Sequence, residues 1–167
     1  MAHLTDSDRQ LIETLRYQAG VLADVEDHKL DLSQGITMVS CADGDQMPDI
    51  FSFQQEMEKN QREKPRVHTL ALNGGALLIA ENSPVASDGE DKIILKHIKQ
   101  AIELKGITTV ALYVHAPCGA AGMCGLGITQ VLDLLMQAKR RIKAEIPGVT
   151  VACFCHVDNG RKRTYFV

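Results

Sequence analysis

Residues 108–118 read TTVALYVHAPC: a nine-residue apolar and β-branched run, Thr108 to Ala116, that stops at Pro117-Cys118. A run of this length is strand-like, and having no polar face it belongs to a strand covered on both sides. Three further segments repeat the pattern. ITMVSC (36–41) stops at Ala-Asp-Gly-Asp, VHTLAL (67–72) stops at Asn73-Gly74-Gly75, and VTVACFCHV (149–157) stops at Asp158-Asn159-Gly160 before TYFV.

Helical patterns lie between these runs. Residues 5–18 follow candidate caps Thr5 and Asp6 and set Leu11, Ile12 and Leu15 on one face. Residues 48–61 open with Pro48, which a helix tolerates in its first turn. Residues 91–105 step through Ile94, Ile98, Ala101 and Ile102 and stop at Gly106, while 127–145 stop before Pro147-Gly148. Strands alternating with helices predict an α/β fold with a mostly parallel central sheet of about four or five strands and helices on both faces. With 167 residues, no internal repeat and no linker, residues 1–167 are expected to form a single domain. The one long irregular stretch is the polar loop 81–91.

The formal charge is −3 and the pI about 6.0, which gives no electrostatic case for nucleic acid. The basic triplet Arg161-Lys162-Arg163 reads as a solvated strand end. The opening MAHLTDSDRQ is polar, and no apolar run approaches the ~20 residues of a membrane span, so no membrane association is expected. Five cysteines without an export signal favour reduced thiols over a disulfide framework and a cytoplasmic location.

In a parallel α/β sheet, ligands bind outside the carboxyl ends of the strands. Here those ends carry Cys41-Ala42-Asp43, Asn73-Gly74-Gly75 and His115-Ala116-Pro117-Cys118. Two thiols and an imidazole are the donors zinc prefers, and three protein ligands leave one position open. Cys41, His115 and Cys118 are therefore the expected metal ligands. Cys124, in the turn GAAGMCGLG, is a candidate fourth ligand, although the glycines there also suit close approach of backbone amides to a ligand. Cys153 and Cys155 share one strand face and read as sheet packing, with His156 on the opposite face as a structural histidine. His68 and His97 fall inside a strand and a helix.

The succession Cys41-x-Asp43, Asn73-Gly74-Gly75 and His115-x-x-Cys118-Gly119 resembles the β-class carbonic anhydrases over roughly residues 30–160. That family ends its first core strand in Cys-x-Asp-x-Arg and its third in His-x-x-Cys-Gly. The resemblance implies zinc held by Cys41, His115 and Cys118, with Asp43 as the catalytic carboxylate or a fourth ligand. It further implies a substrate-binding role for Gly74, Gly75 and Gly119. The reaction implied is reversible hydration of carbon dioxide or a related small neutral substrate by zinc-bound hydroxide, in a homodimer or higher homo-oligomer.

Two positions depart from the family pattern. Asp45 stands where the motif arginine pairs with the aspartate, and Leu72 stands where a second arginine is expected. Two unit charges ~4 Å apart interact by ~4 kcal/mol at an effective dielectric of 20, so replacing a cation by an anion disfavours a bound anion such as bicarbonate. It also frees Asp43 to reach the metal. The alternatives are thus a zinc lyase with altered substrate, a catalytically silent zinc protein with a closed site, and a thiol-redox protein using Cys118 and Cys124.

Overall fold

The computed structural model describes residues 3–26 and 29–167. Helix α1 (Asp6–Tyr17) begins at Thr5, whose hydroxyl accepts from the Asp8 amide while the Asp8 carboxylate accepts from the Thr5 amide. This reciprocal cap satisfies two amides that a helix start leaves without partners. Then follow β1 (Ile36–Cys41), α2 (Met47–Lys59), β2 (Val67–Leu72), α3 (Glu90–Lys105) and β3 (Thr109–Ala116). The short α4 (Gly119–Met123), α5 (Ile128–Glu145), β4 (Thr150–Asp158) and β5 (Lys162–Phe166) complete the chain.

The five strands form one sheet in the order β2-β1-β3-β4-β5. All neighbours are parallel except β4 and β5, which pair antiparallel across the Asp158–Gly160 turn. Every residue of β1 and β3 is buried, as their uninterrupted apolar sequence requires. One sheet face packs Val39, Leu112, Val114, Cys153 and Cys155 against α3 and α5. The other packs Met38, Tyr113 and Phe154 under α2. The α/β reading with helices on both faces therefore holds.

The sequence reading passed over one element. Residues Gly75–Ile79 form a 3-10 helix in which all five residues are buried. GALLIA is too short to show a helical period, yet its burial explains why the apolar run interrupts an otherwise polar region. It packs against α5 and α3 and against the ends of β1 and β3. The chain can turn this tightly because Gly74 and Gly75 adopt φ of +89° and +50°. A Cβ on Gly75 would lie 2.3 Å from the Cys41 amide nitrogen, so a glycine is required where the loop crosses the end of β1.

The basic triplet is a solvated strand end, as expected, with contacts added at Lys162. All three side chains are exposed, but the Lys162 ammonium donates to Asp49 at 2.6 Å and to the Asp45 carbonyl at 2.5 Å. It thereby ties β5 to the start of α2.

Candidate metal centre

Strand order explains why distant residues meet. β1 and β3 are hydrogen-bonded parallel neighbours, so their carboxyl ends, with Cys41 and His115, come to the same edge of the sheet. Proline then turns the chain, and Cys118 sits at the residue before α4. The ligating atoms of Cys41, His115 and Cys118 all lie within 4.8 Å of one another. All three residues are buried, at 6%, 2% and 8% exposure.

These groups fit a metal on their own chemistry. Both ring nitrogens of His115 are buried without a hydrogen-bond partner in the protein, a costly arrangement for a polar ring. Contact with Cys118, aided by His115 and the Gly74 amide, pulls the Cys41 thiol well below its ordinary range against the opposing effect of burial. The same contact with Cys41, together with burial, pushes Cys118 up. One thiolate is thus already favoured without an ion, and a cation would accommodate the second. The Gly74 amide donates to the Cys41 sulfur at 3.4 Å, so the Gly74-Gly75 turn touches the site through its backbone.

Asp43 stands beside this group, half-buried, its Oδ2 4.0 Å from Nε2 of His115. Its other oxygen, Oδ1, accepts from the backbone amide of Asp45 at 2.9 Å. Position 45 therefore holds the carboxylate through its main chain, and the aspartate side chain there takes no part in that bond. That leaves Oδ2 on the His115 side, though Asp43 is not among the donors that lie within 4.8 Å of one another.

A cavity of about 800 Å³ opens over the site and is lined in part by Asp43, Asp45, Gln46, Pro117 and Gly119. Arg9 of α1 also lines it, supplying a guanidinium that nothing in the motif spacing signalled. Among the proposed substrate-contacting glycines, Gly119 lines this cavity, whereas Gly74 and Gly75 are buried behind Cys41.

Cys124 stands apart. It is exposed, its thiol donates to the Pro84 carbonyl at 3.2 Å, and it is not among the converging donors. Of the two readings open for Cys124, a fourth ligand or a free thiol, the structure has the free thiol: the Gly-rich turn carries it outward to the 81–91 loop. All five cysteines are free, and Cys153 and Cys155 are fully buried in the sheet, where burial raises their thiols to about 11 and about 12.

His156 was read only as a structural histidine, but it lies directly beside His115 in the β3–β4 register. Its Nδ1 pairs with the Thr164 hydroxyl at 2.9 Å, and its Nε2 is buried without a partner. Burial pushes its pKa down to about 4, which keeps the ring neutral. Gln46 donates to Asp158 at 3.2 Å, and its carbonyl oxygen is likewise buried and unpaired.

No family model matches the chain, and no curated protein matches it in sequence. Solved structures of similar fold include the β-carbonic anhydrase CafD of Aspergillus fumigatus. It is 9% identical with a TM-score of 0.47, over 87% of this chain and 98% of that one. The β-carbonic anhydrase CcaA is 12% identical with a TM-score of 0.48, over 98% of this chain and 92% of that one. A carbonic anhydrase from Streptococcus mutans is 12% identical with a TM-score of 0.43, over 98% and 99%. Likeness at this level leaves function to be argued from this chain's own residues.

Proposed function

We propose that Cys41, His115 and Cys118 hold one zinc ion, and that the centre serves a lyase of β-carbonic anhydrase type acting on carbon dioxide or a related small neutral molecule. The observation that carries the metal half is the convergence of three soft donors, with both nitrogens of a buried histidine unpaired. A bound Zn²⁺ supplies Lewis acidity that lowers the pKa of a coordinated water to about 7.

The protein's part is positional. Asp43, fixed by the Asp45 amide, presents an acceptor oxygen at the fourth side of the donor group, where it can take and return a proton. The cavity wall sets Asp43, Asp45 and Asp158 against the one guanidinium of Arg9, a negative balance that disfavours an anionic substrate and suits a neutral one.

A second reading is favoured by one distance. The 4.0 Å between Oδ2 and His115 Nε2 is compatible with Asp43 swinging in as a fourth ligand, which would give a closed zinc site of structural or regulatory use. Its carboxylate nevertheless lies outside the converging group of three donors. Carbon dioxide hydration by zinc-loaded protein, followed from pH 6.5 to 9, separates the two. A rate above the uncatalysed reaction that is lost in Asp43→Asn supports the lyase. A rate equal to the uncatalysed reaction throughout removes it. Freshly purified protein without stoichiometric zinc overturns both.

A further inference from the structure

The histidine that faces the donors leaves its second nitrogen unaccounted for. Nε2 of His115 is the atom near Asp43, and with Nε2 taken as the ligating nitrogen, Nδ1 is the one left over. Nδ1 is buried and has no partner in the protein. A metal-bound neutral imidazole carries its proton on the nitrogen that is not ligated, and that N–H needs an acceptor. The neighbouring strand offers one. His156 is paired with His115 in the parallel β3–β4 register, so the two side chains leave the same face of adjacent strands whose backbones lie about 4.8 Å apart. Its Nε2 is the one unpaired buried ring nitrogen outside His115 among the described residues.

We propose that His156 is the positioning residue for His115, accepting through Nε2 the His115 Nδ1–H, directly or through one buried water. The proton pattern then closes without conflict. His115 donates from Nδ1, His156 accepts at Nε2 and donates from its own Nδ1, and the Thr164 hydroxyl accepts at 2.9 Å. Each neutral ring carries one proton, and every ring nitrogen has a role. The chain of bonds runs from the site through β4 to β5, which gives the antiparallel fifth strand a part in orienting a ligand on β3. This inference rests on the zinc reading of Cys41, His115 and Cys118.

Zinc affinity, measured by competition with a chromophoric chelator, comes first on the unaltered protein. If that protein binds no zinc, the metal reading itself fails. If it binds, His156→Phe is expected to weaken binding 10- to 100-fold, the usual loss when the partner of a ligating histidine is removed. His156→Gln, which keeps an acceptor, is expected to restore affinity to within a few-fold. The visible spectrum of the cobalt-substituted protein should shift in the Phe variant and return in the Gln variant. Unchanged affinity in a folded His156→Phe protein overturns the proposal.

Should the Phe variant not fold, Thr164→Val, which removes only the far end of the chain, is expected to weaken zinc several-fold. An unchanged constant there overturns the proposal equally. Gln46→Met serves as the contrast, because loss of affinity there with His156→Phe silent would assign the acceptor to the Gln46 carbonyl. Long-range ¹H–¹⁵N correlation of the zinc-loaded protein reads the tautomer directly. A His156 proton on Nδ1 is expected, and one on Nε2 overturns the proposal.

Discussion

Two buried polar clusters sit on this sheet, and they are built on opposite principles. At the carboxyl edge, Cys41, His115 and Cys118 point their donors at one another and leave both nitrogens of His115 unpaired. Beneath α2, Tyr113, Gln54 and Glu58 are just as buried, yet each makes a hydrogen bond within the chain, with Gln54 Nε2 and Glu58 Oε1 left over. The Tyr113 hydroxyl donates to Gln54 at 2.7 Å, and Glu58 accepts from the Arg66 amide at 2.7 Å. The first cluster is incomplete without something the chain does not supply. The second is hard acceptors and amides that bond within the chain and pin a helix to the sheet. Burial of polar groups alone therefore does not mark a site. Convergence of soft donors beside an open cavity does.

The largest effect should come from breaking the edge cluster. Cys118→Ser is expected to reduce bound zinc after dialysis from about one equivalent to near zero, read by elemental analysis. Zinc at 1,000 times its dissociation constant stabilises the native state by about 4 kcal/mol. Chelation should therefore lower the melting temperature of the unaltered protein and leave that of Cys118→Ser unchanged. Equal melting temperatures with and without chelator in the unaltered protein would put the edge cluster in the same class as the one under α2.

Gly75→Ala tests whether the edge cluster depends on the loop behind it. A Cβ there would meet the Cys41 amide and the Ser40 carbonyl carbon, each at 2.3 Å, in a conformation with φ +50°. Left-handed strain and overpacking together cost roughly 2–6 kcal/mol. Zinc content should fall with stability, because the shifted atoms belong to Cys41. Gly119→Ala has open space around its Cβ and should change neither.

Much of this contrast was legible in the residues. β1, β3 and β4 announced themselves because strands buried on both faces must be apolar throughout. β2, equally apolar in sequence, is instead the half-buried edge strand and ends exposed at Leu72. The donors were legible because each follows or ends such a run. What stayed hidden depends on long-range register. His156 becomes interesting only when β4 is placed beside β3 with 156 opposite 115. Arg9 reaches the cavity from the first helix, more than thirty residues before Asp43. The 3-10 helix at Gly75–Ile79 is too short for any period to show, and its burial is a property of the packed layers. Asp45 was legible only in part: its charge could be read from the residue, whereas the bond its amide makes to Asp43 depends on backbone geometry.

The α2 cluster should respond in the opposite way to the edge. Tyr113→Phe leaves the Gln54 oxygen without its donor in a fully buried position. An acceptor stranded in this way costs about 1–3 kcal/mol, or roughly 2–4 °C per kcal/mol in a domain of this size. Zinc content should stay at the unaltered level. A parallel loss of zinc would show that the two clusters are coupled through β3, which carries both Tyr113 and His115.

The smallest effect concerns charge in the closed cluster. Burial raises the Glu58 carboxyl above its ordinary value, partly offset by the Arg66 amide. A carboxyl whose folded pKa lies above its unfolded value binds protons more tightly in the native state. Its contribution is full below the unfolded pKa and is lost as pH rises through the folded one. Glu58→Gln keeps an oxygen to accept from Arg66 and cannot ionise. Between about pH 4 and neutrality, the unaltered protein should lose stability relative to this variant, by about 1 kcal/mol for each unit by which burial raises the carboxyl. Denaturant unfolding at several pH values reads the difference. Chelator-treated protein should be used for both, so that proton release at the edge cluster does not enter the comparison. A pH dependence identical in the two proteins would mean that Glu58 is ionised in the fold at no cost. The unpaired Oε1 would then need a partner supplied by solvent, and the α2 cluster would be less closed than its hydrogen bonds imply.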